Sequence, residues 1–317
     1  MRNYADEDNL HARIYAMRGR LLSLRDYASM VREQETNSFK ISGAQDLIEA
    51  KETLFREQIA PIIPLVEAYD KYTPLFLAYL RQYEAHNVKI LLAKAFGKQS
   101  LEQWYDIGPF ATLEKELLRE KLSLDEIKSL IADTYLADYF KDISSYRRME
   151  IRVDFCSAGN LYRSSTSLSP QARKEFGDMI LKRIAVVTVI WSYRLREYYH
   201  WSDERIRLYM ENFHDLFGGH VWSQVRMVEE ALNRRLEQLR KGGGQEQPSA
   251  TDMESHIEQD YYSWVSSMFH RDFHSIYCVV AYLWLLFYQI RNLFRIIDGR
   301  RFGFSSDAIL NKMICDA

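Results

Sequence analysis

The most apolar run in the chain covers Ile276 to Arg301 and has the spacing of an α-helix. Apolar residues recur around the whole circumference up to Tyr288 and then narrow to one face. This pattern predicts a helix that is wholly buried in its first half and buried on one side in its second. The apolar part is shorter than the roughly 20 residues that a membrane span needs, so we expect a core helix and no direct membrane span. Gly299 is expected to close the helix.

Two earlier stretches, Leu75 to Trp104 and Ile184 to Met210, resemble this one. Each predicts a long helix, then a break, then a serine suited to start the next helix; the three serines are Ser100, Ser202 and Ser306. Because the serines recur at intervals of about 100 residues, we predict an all-α fold made of three similar helical-bundle repeats. The first repeat is expected at 1–120 and the second at 121–240. A flexible Gly-rich loop is expected at 241–255, and the third repeat at 256–317, with helices shared with the N-terminal region.

Several helix starts have recognisable local signals. Ser23 with Asp26 and Ser123 with Glu126 predict capping boxes, the second opening a helix that runs to about residue 139. Ser169 before a proline predicts another start, and so does Thr73 before Pro74. The stretch 151–155 alternates apolar and polar residues, which fits either a strand or the front of a helix that breaks at Gly159.

Composition narrows the function classes. Hydrophobic residues make up 47% of the chain and charged residues 27%, as in ordinary soluble globular proteins. The formal net charge of −2 gives no reason to expect a nucleic-acid partner. Only six prolines interrupt 317 residues, which favours long helices. The start of the chain is polar, without an apolar signal region, and the three cysteines are far apart, so we expect a reducing cytoplasmic compartment.

Candidate catalytic chemistry is sparse. His270 and His274 stand at i and i+4, a spacing that places two metal ligands on one helix face, but a third ligand and the glutamate of a zinc protease are missing. They fit either a polar cluster at a helix entry or the metal site of an α-helical metal-dependent enzyme. Gly242–Gly244 lacks the residues of a phosphate-binding loop, and no nucleophile elbow is present. We therefore expect no cofactor and no small-molecule substrate.

Several segments together resemble one family. They are Arg13–Leu22, Asn87–Leu92 followed by Gly97 and Lys98, Ala281–Leu283, Ile290–Leu293, and Gly299–Arg300 followed by Ser306–Ile309. They resemble the C subunit of bacterial and archaeal V/A-type ATPases, whose eukaryotic counterpart is the d subunit. The chain departs from the family pattern at Gln289, where the family often has glutamate, and in its long Gly-rich loop.

The resemblance implies a non-catalytic rotor subunit that is a funnel of three pseudo-threefold-related helical lobes. Such a protein lies peripherally on the cytoplasmic face of the membrane and connects central-stalk subunits to the proteolipid ring, coupling ATP chemistry to proton or sodium transport. On the last long helix, Arg291 and Arg295 share a polar stripe with Tyr288 and Asp298. This stripe faces either the stalk socket or solvent. A solenoid scaffold is a further alternative, but it predicts a short repeat that the chain does not show.

Overall fold

The computed structural model describes residues 7–33, 44–98, 103–119, 121–137, 145–214, 221–241, 250–272 and 274–316. The predicted all-α class is confirmed, because the described residues form helices and no strand. The α-helices are α1 (Glu7–Arg18), α2 (Leu24–Glu33), α3 (Ala44–Ile59), α4 (Ile63–Ala68), α5 (Thr73–Ala95), α6 (Leu124–Ile131), α7 (Tyr146–Arg163), α8 (Pro170–Tyr199), α9 (Asp203–His214), α10 (Val221–Lys241), α11 (Ala250–Phe269), α12 (Ile276–Arg301) and α13 (Ser306–Leu310).

Most predicted caps are present. Ser123 and Glu126 form a capping box, although the helix that they open ends at Ile131 instead of near residue 139. The Ser23 hydroxyl accepts the Asp26 N–H at 3.3 Å, and the Asp26 carboxylate accepts the Ser23 N–H at 2.7 Å. At α8 and α9 the cap is the serine hydroxyl, since Ser169 accepts the N–H of Ala172 and Ser202 that of Arg205, each at 3.4 Å. Ser100 lies outside the described residues.

The segment around residue 151 is helical, so the strand alternative is wrong. It forms part of α7, which also continues through Gly159 without a break. Ile151, Val153 and Phe155 are buried, and so are Cys156 and other residues on neighbouring positions. The buried face of α7 is therefore wide, and over five residues such a face looks like alternation.

Two other helix ends differ from prediction. Thr73 is not the cap but the first residue of α5, and its hydroxyl donates to the Val66 carbonyl at 2.5 Å. α12 passes through Gly299 and ends at Arg301, and Gly303 takes the left-handed conformation (φ +71°) that closes it. Gly299 instead allows a close approach, because an added Cβ would lie 2.6 Å from Cγ1 of Ile309.

The three long helices α5, α8 and α12 each end next to a residue of positive φ. These residues are Gly97, His200 and Gly303, and the intervals from 97 to 200 and from 200 to 303 are both 103 residues long. The cap of the following helix repeats with the same interval, since α9 is capped by Ser202 and α13 by Ser305 rather than Ser306. This regularity supports a repeated unit, but the threefold arrangement stays a prediction.

Contacts divide the chain into two compact units. Unit 1 comprises Met1–Leu168 and Leu286–Met313, and unit 2 comprises Ser169–Leu285 and Ile314–Ala317. The chain passes from one unit to the other after Leu168, after Leu285 inside α12, and after Met313. The repeat boundaries at 120 and 240 stay a prediction. Residues 242–249 of the predicted Gly-rich loop, including Gly242–Gly244, lie outside the described residues, and α11 already begins at Ala250.

Each unit has its own core. In unit 1, α5 packs chiefly against α7, with α4 and α6 also in contact, and α13 packs against α2. In unit 2, α8 packs against α10 and α11. Arg183 of α8 and the buried Glu258 of α11 join through two hydrogen bonds of 2.6 and 3.2 Å, so their charges are paired within the unit 2 core.

Within the described part of the chain, α12 is the one helix long and apolar enough, by length and composition alone, to cross a membrane. The predicted shortness of the apolar part of α12 therefore does not distinguish a core helix from a membrane span. Burial is more informative, because 83% of the apolar window is covered by the protein itself. This coverage is typical of a core helix.

Candidate functional site

The predicted polar stripe occupies the C-terminal half of α12, within unit 1. Tyr288 does not belong to it, because its side chain is 0% exposed and its ring centroid lies 5.5 Å from that of Phe287. The wholly buried first part of α12 therefore includes Tyr288, and this residue contributes to the core of the free chain. The other three predicted positions keep part of their surface in solvent.

Arg291 and Arg295 are partly exposed and each has a supporting neighbour on the same helix. The guanidinium of Arg291 lies 5.4 Å from the Phe287 ring centroid, a cation–π arrangement. Nη1 of Arg295 donates to Oδ1 of the buried Asn292 at 3.1 Å. Both guanidinium groups are thus held in position on residues that stay partly exposed.

Asp298 makes an ion pair with Lys51 of α3, with 2.5 Å between Oδ1 and Nζ. The Lys51 side chain is 5% exposed and that of Asp298 is 35% exposed. The Lys51 ammonium also lies 5.5 Å from the Phe294 ring centroid. Because a buried ammonium is costly without a counter-charge, Asp298 has a structural role that the sequence pattern did not reveal. With Asp298 engaged by Lys51, the outer part of the stripe is dominated by the two arginines.

Gln289, the position where the chain departs from the family pattern, is buried and connects α12 to two other elements. Its Oε1 accepts the backbone N–H of Leu22 at 2.6 Å, and its Nε2 donates to Oε1 of Gln58 on α3 at 2.6 Å. A glutamate at this position has no amide hydrogen to donate to Gln58. Glutamine therefore suits this position, because its amide group can donate to Gln58.

The positive charge of Arg291 also affects two partly buried side chains. Burial lowers the pKa of His86 to about 4, and the nearby Lys89 and Arg291 add to this effect while Asp154 opposes it. Burial raises the pKa of Tyr105 to about 12, against the opposing influence of Arg291. Both side chains are therefore neutral near pH 7, and the arginine charge is not cancelled by them.

The segment that follows residue 103 is fixed by buried polar side chains of α3 and α5. Asn87 both donates to the carbonyl of Tyr105 and accepts its N–H, each at 2.9 Å. Glu52 accepts the N–H of Trp104 at 2.9 Å and pairs with Lys115. These contacts hold Tyr105 in place near the stripe.

A second anchor for the same segment is Glu84 of α5, whose side chain is fully buried. Its carboxylate accepts the N–H of Leu113 at 2.8 Å, the N–H of Thr112, and the hydroxyl of Tyr135. Sequence reasoning missed Glu84, Asn87 and Glu52. The available signal was polar residues inside the otherwise apolar face of a long helix, because a buried polar group needs hydrogen-bond partners.

The histidine pair does not form the predicted helical ligand set. α11 ends at Phe269 and α12 begins at Ile276, so His270 and His274 lie in the connection and not on one helix face. Both are exposed, and Asp272 accepts the His274 N–H at 3.0 Å. Across the described ranges, no group of three or more His, Cys, Asp and Glu side chains is placed to hold a metal ion. The metal-enzyme alternative is therefore unsupported.

Comparison with known proteins identifies the family. A search of curated proteins found no match. The family model described as ATP synthase (C/AC39) subunit matches residues 67–312, which is more than three quarters of the chain. The matched region includes α5, α8 and α12 together with the stripe residues Arg291, Arg295 and Asp298. The chain therefore belongs to the ATP synthase C/AC39 subunit family.

Proposed function

We propose that this protein is a non-catalytic rotor adapter of a V/A-type ATPase. It connects central-stalk subunits to the membrane proteolipid ring, on the cytoplasmic face of the membrane, and passes torque between ATP chemistry and proton or sodium transport. The family match over residues 67–312 is the observation that carries this proposal. It takes no cofactor, small-molecule substrate or nucleic acid.

The local structure suits a part that transmits torque. The helices are long, and α8 alone has 30 residues. Their ends are fixed by capping boxes and left-handed caps, and the segment after residue 103 is anchored by buried polar side chains. Caps and hydrogen-bonded buried polar groups reduce fraying and local opening, and a stiff body loses less rotation to internal deformation.

We propose that the stalk contacts Arg291 and Arg295. Arginine is enriched at the centres of protein interfaces, and guanidinium groups held in advance lose less conformational entropy on binding. Asn292 and Phe287 provide this support. Because Asp298 is engaged by Lys51, the arginines favour a partner surface with carboxylates.

The test is a binding titration of the purified chain with isolated central-stalk subunits. Arg291→Ala with Arg295→Ala is expected to weaken binding about tenfold or more, with a smaller loss at high salt where wild-type binding is itself weakened. The matched control is Arg207→Ala with Arg226→Ala, two exposed arginines of unit 2. Equal binding by the arginine-stripe variant and the control would remove the stripe from the stalk interface. No binding by the wild-type chain would contradict the adapter function itself.

A further inference from the structure

The connection between α12 and α13, within unit 1, presents two phenylalanine side chains to solvent. Phe302 is 68% exposed and Phe304 is 61% exposed, and their ring centroids lie 6.5 Å apart. Among the described residues these are the two most exposed large apolar side chains. We name residues 302–304 the aromatic tip. Large apolar groups that are exposed side by side are typical of a contact surface.

The backbone of the aromatic tip is fixed by the helices on both sides. The N–H of Phe304 donates to the carbonyl of Gly299 at 2.8 Å, and that of Gly303 donates to the carbonyl of Arg300 at 3.1 Å. Together with the left-handed conformation of Gly303, these bonds form a Schellman motif. Ser305 then caps α13. The two rings are therefore displayed on a well-defined turn.

Helix capping does not account for the exposure of the rings. In a Schellman motif, the residue after the left-handed position usually packs back on the last turn of the helix. For Phe304 the residue to cover would be Gly299, which has no side chain and is already approached closely by Ile309. The fold of the chain thus gives Phe304 no apolar surface to cover at this turn.

The aromatic tip protrudes from the protein. A Cβ added at Gly303 would have no heavy atom within 4 Å, so the space around the middle of the tip is open. A stable interface with a folded protein buries roughly 800 Å² on each side and needs a complementary shape, which two protruding rings do not offer. A lipid surface is fluid and accepts a protruding apolar group without a preformed pocket.

Positive charge surrounds the aromatic tip. Residues 299–312 contain three cations and one carboxylate, so their formal net charge is +2. The cations are Arg300, Arg301 and Lys312, and the carboxylate is Asp307. This balance favours a contact surface that carries negative charge.

The two arginines beside the tip keep their charge available. Arg301 is exposed, and it directly precedes Phe302. The guanidinium of Arg300 is partly enclosed, and its Nε and Nη2 have no hydrogen-bond acceptor in the described part of the chain. Asp298, which directly precedes this segment, already pairs with Lys51. The positive potential at the tip is therefore not cancelled by that carboxylate.

We propose that the aromatic tip is a membrane contact, in which Phe302 and Phe304 insert among the headgroups of an anionic phospholipid bilayer and Arg301 lies against the lipid phosphates. Aromatic rings suit the boundary between headgroups and acyl chains, and each arginine near an anionic surface adds attraction. The contact is peripheral and needs no membrane-spanning helix. It goes beyond the adapter function and does not rest on it, because it requires lipid alone.

The experiment measures co-flotation of the purified full-length chain with lipid vesicles at low salt, where electrostatic attraction is least screened. One vesicle preparation contains phosphatidylcholine alone, and the other also contains anionic phosphatidylglycerol. The first test variant combines Phe302→Ser with Phe304→Ser. Its matched control combines Leu208→Ser with Met227→Ser, which replace two apolar side chains of unit 2 that are each about half exposed.

A second variant tests the charge. Arg301→Gln removes the exposed cation next to the tip, and Arg226→Gln removes an exposed cation of unit 2 as its control. Binding of each variant to isolated central-stalk subunits and to detergent-solubilised proteolipid ring is measured in parallel. Thermal unfolding checks that every variant is folded.

A fluorescence readout reports whether the tip enters the bilayer. Phe304→Trp places an indole at the tip, and Leu208→Trp places one at a side chain of comparable exposure in unit 2. The emission of the six native tryptophans is subtracted by using the wild-type chain. Brominated acyl chains quench an indole that lies in the bilayer, so we expect them to quench the first added indole and not the second.

Wild type is expected to float with the anionic vesicles and much less with phosphatidylcholine alone. The double phenylalanine variant should lose about tenfold in partition coefficient. Arg301→Gln should lose about fivefold, with a weaker dependence on salt. Both control variants should bind vesicles like wild type, and binding to stalk and ring should not change in any of these variants.

Three results would overturn the inference. The first is a wild-type chain that does not bind anionic vesicles, and the second is equal vesicle binding by wild type and the folded double phenylalanine variant. The third is a double variant that keeps vesicle binding but loses stalk or ring, which would make the tip a protein contact. All three leave the adapter function standing, because that function fails only if the wild-type chain binds neither stalk nor ring.

Discussion

The ion pair between Lys51 and Asp298 gives the sharpest test of how the stripe is built. We consider Asp298→Asn, Lys51→Met and the double variant. Asparagine keeps the shape of Asp298 but removes its charge, so the ammonium of Lys51, whose side chain is 5% exposed, loses its counter-ion. The contact with the Phe294 ring remains in Asp298→Asn. Lys51→Met removes the buried charge itself and leaves an apolar chain of similar length.

The expected magnitude follows from burial. Removing one partner of a fully buried ion pair costs about 3–5 kcal/mol. The paired Oδ1 of Asp298 is buried, but 35% of the Asp298 side chain as a whole is in solvent, so we expect less than the cost for a fully buried pair, about 2 kcal/mol in the free energy of unfolding for Asp298→Asn. Lys51→Met should cost about 1 kcal/mol, and the double variant no more than Lys51→Met alone, giving a coupling energy of about 2 kcal/mol.

The assay is equilibrium urea unfolding followed by far-ultraviolet circular dichroism, combined with amide hydrogen exchange of α3 and α12. Exchange is needed because the chain has two compact units, and a single two-state transition is not assured. Tryptophan fluorescence alone would mislead, because Trp104 is the only tryptophan in the sequence of unit 1 and the other five belong to unit 2. Glu211→Gln, which breaks an exposed pair with Arg207, is the control and should change stability by less than about 0.5 kcal/mol.

The reasoning is refuted if Asp298→Asn changes stability no more than this control, or if Lys51→Met fails to relieve the effect of Asp298→Asn. The double variant has a further use. It removes the charge of Asp298 with little loss of stability, so a change in its stalk binding measures the contact with the partner separately from folding.

Three further predictions concern unit 1. Gly299→Ala should lower the free energy of unfolding in urea by about 1–3 kcal/mol, because the added methyl group lies 2.6 Å from Cγ1 of Ile309. No loss of stability, or a gain, would contradict this prediction and show that α13 moves aside freely. Gln289→Glu should lower the free energy of unfolding by about 1–3 kcal/mol at pH 7, because Oε1 of Gln58 loses the amide that donates to it and a charge enters a buried site. Part of this loss should be recovered as the pH falls and the new carboxyl is protonated. A loss of stability that does not depend on pH would contradict this prediction. The pKa of His86, lowered to about 4, predicts that the free energy of unfolding decreases by up to about 3 kcal/mol as the pH falls from 6.5 to 4. In this range the unfolded chain binds a proton at His86 and the folded chain does not. His86→Asn should flatten this part of the pH profile.

Features set by neighbouring residues in the sequence could be predicted. The capping boxes at Ser23 and Ser123 and the start at Ser169 depend on a few consecutive residues, and all are present. The all-α class follows from helical spacing over long windows. The family could also be predicted, because its packing patterns extend over most of the chain.

Features set by tertiary contacts could not. The sequence predicted Gly299 as the helix terminator, but the closeness of Ile309 makes it a packing glycine, and Gly303 is the residue that closes α12. Similarly, the spacing gave two answers for Tyr288, which ends the fully apolar half of the helix and also shares the polar stripe, and only the elements that cover α12 decide that it is buried. The pairing of Asp298 with Lys51 joins residues that are far apart in the sequence.

Co-purification tests the central claim most directly. The tagged full-length chain is recovered from detergent-solubilised native membranes, and the proteins recovered with it are identified and quantified. A second preparation uses the Arg291→Ala, Arg295→Ala variant. The adapter account predicts that wild type recovers both central-stalk subunits and ring proteolipid, and that the variant keeps the ring while losing much of the stalk. Recovery of neither partner by a folded wild-type chain would contradict the account.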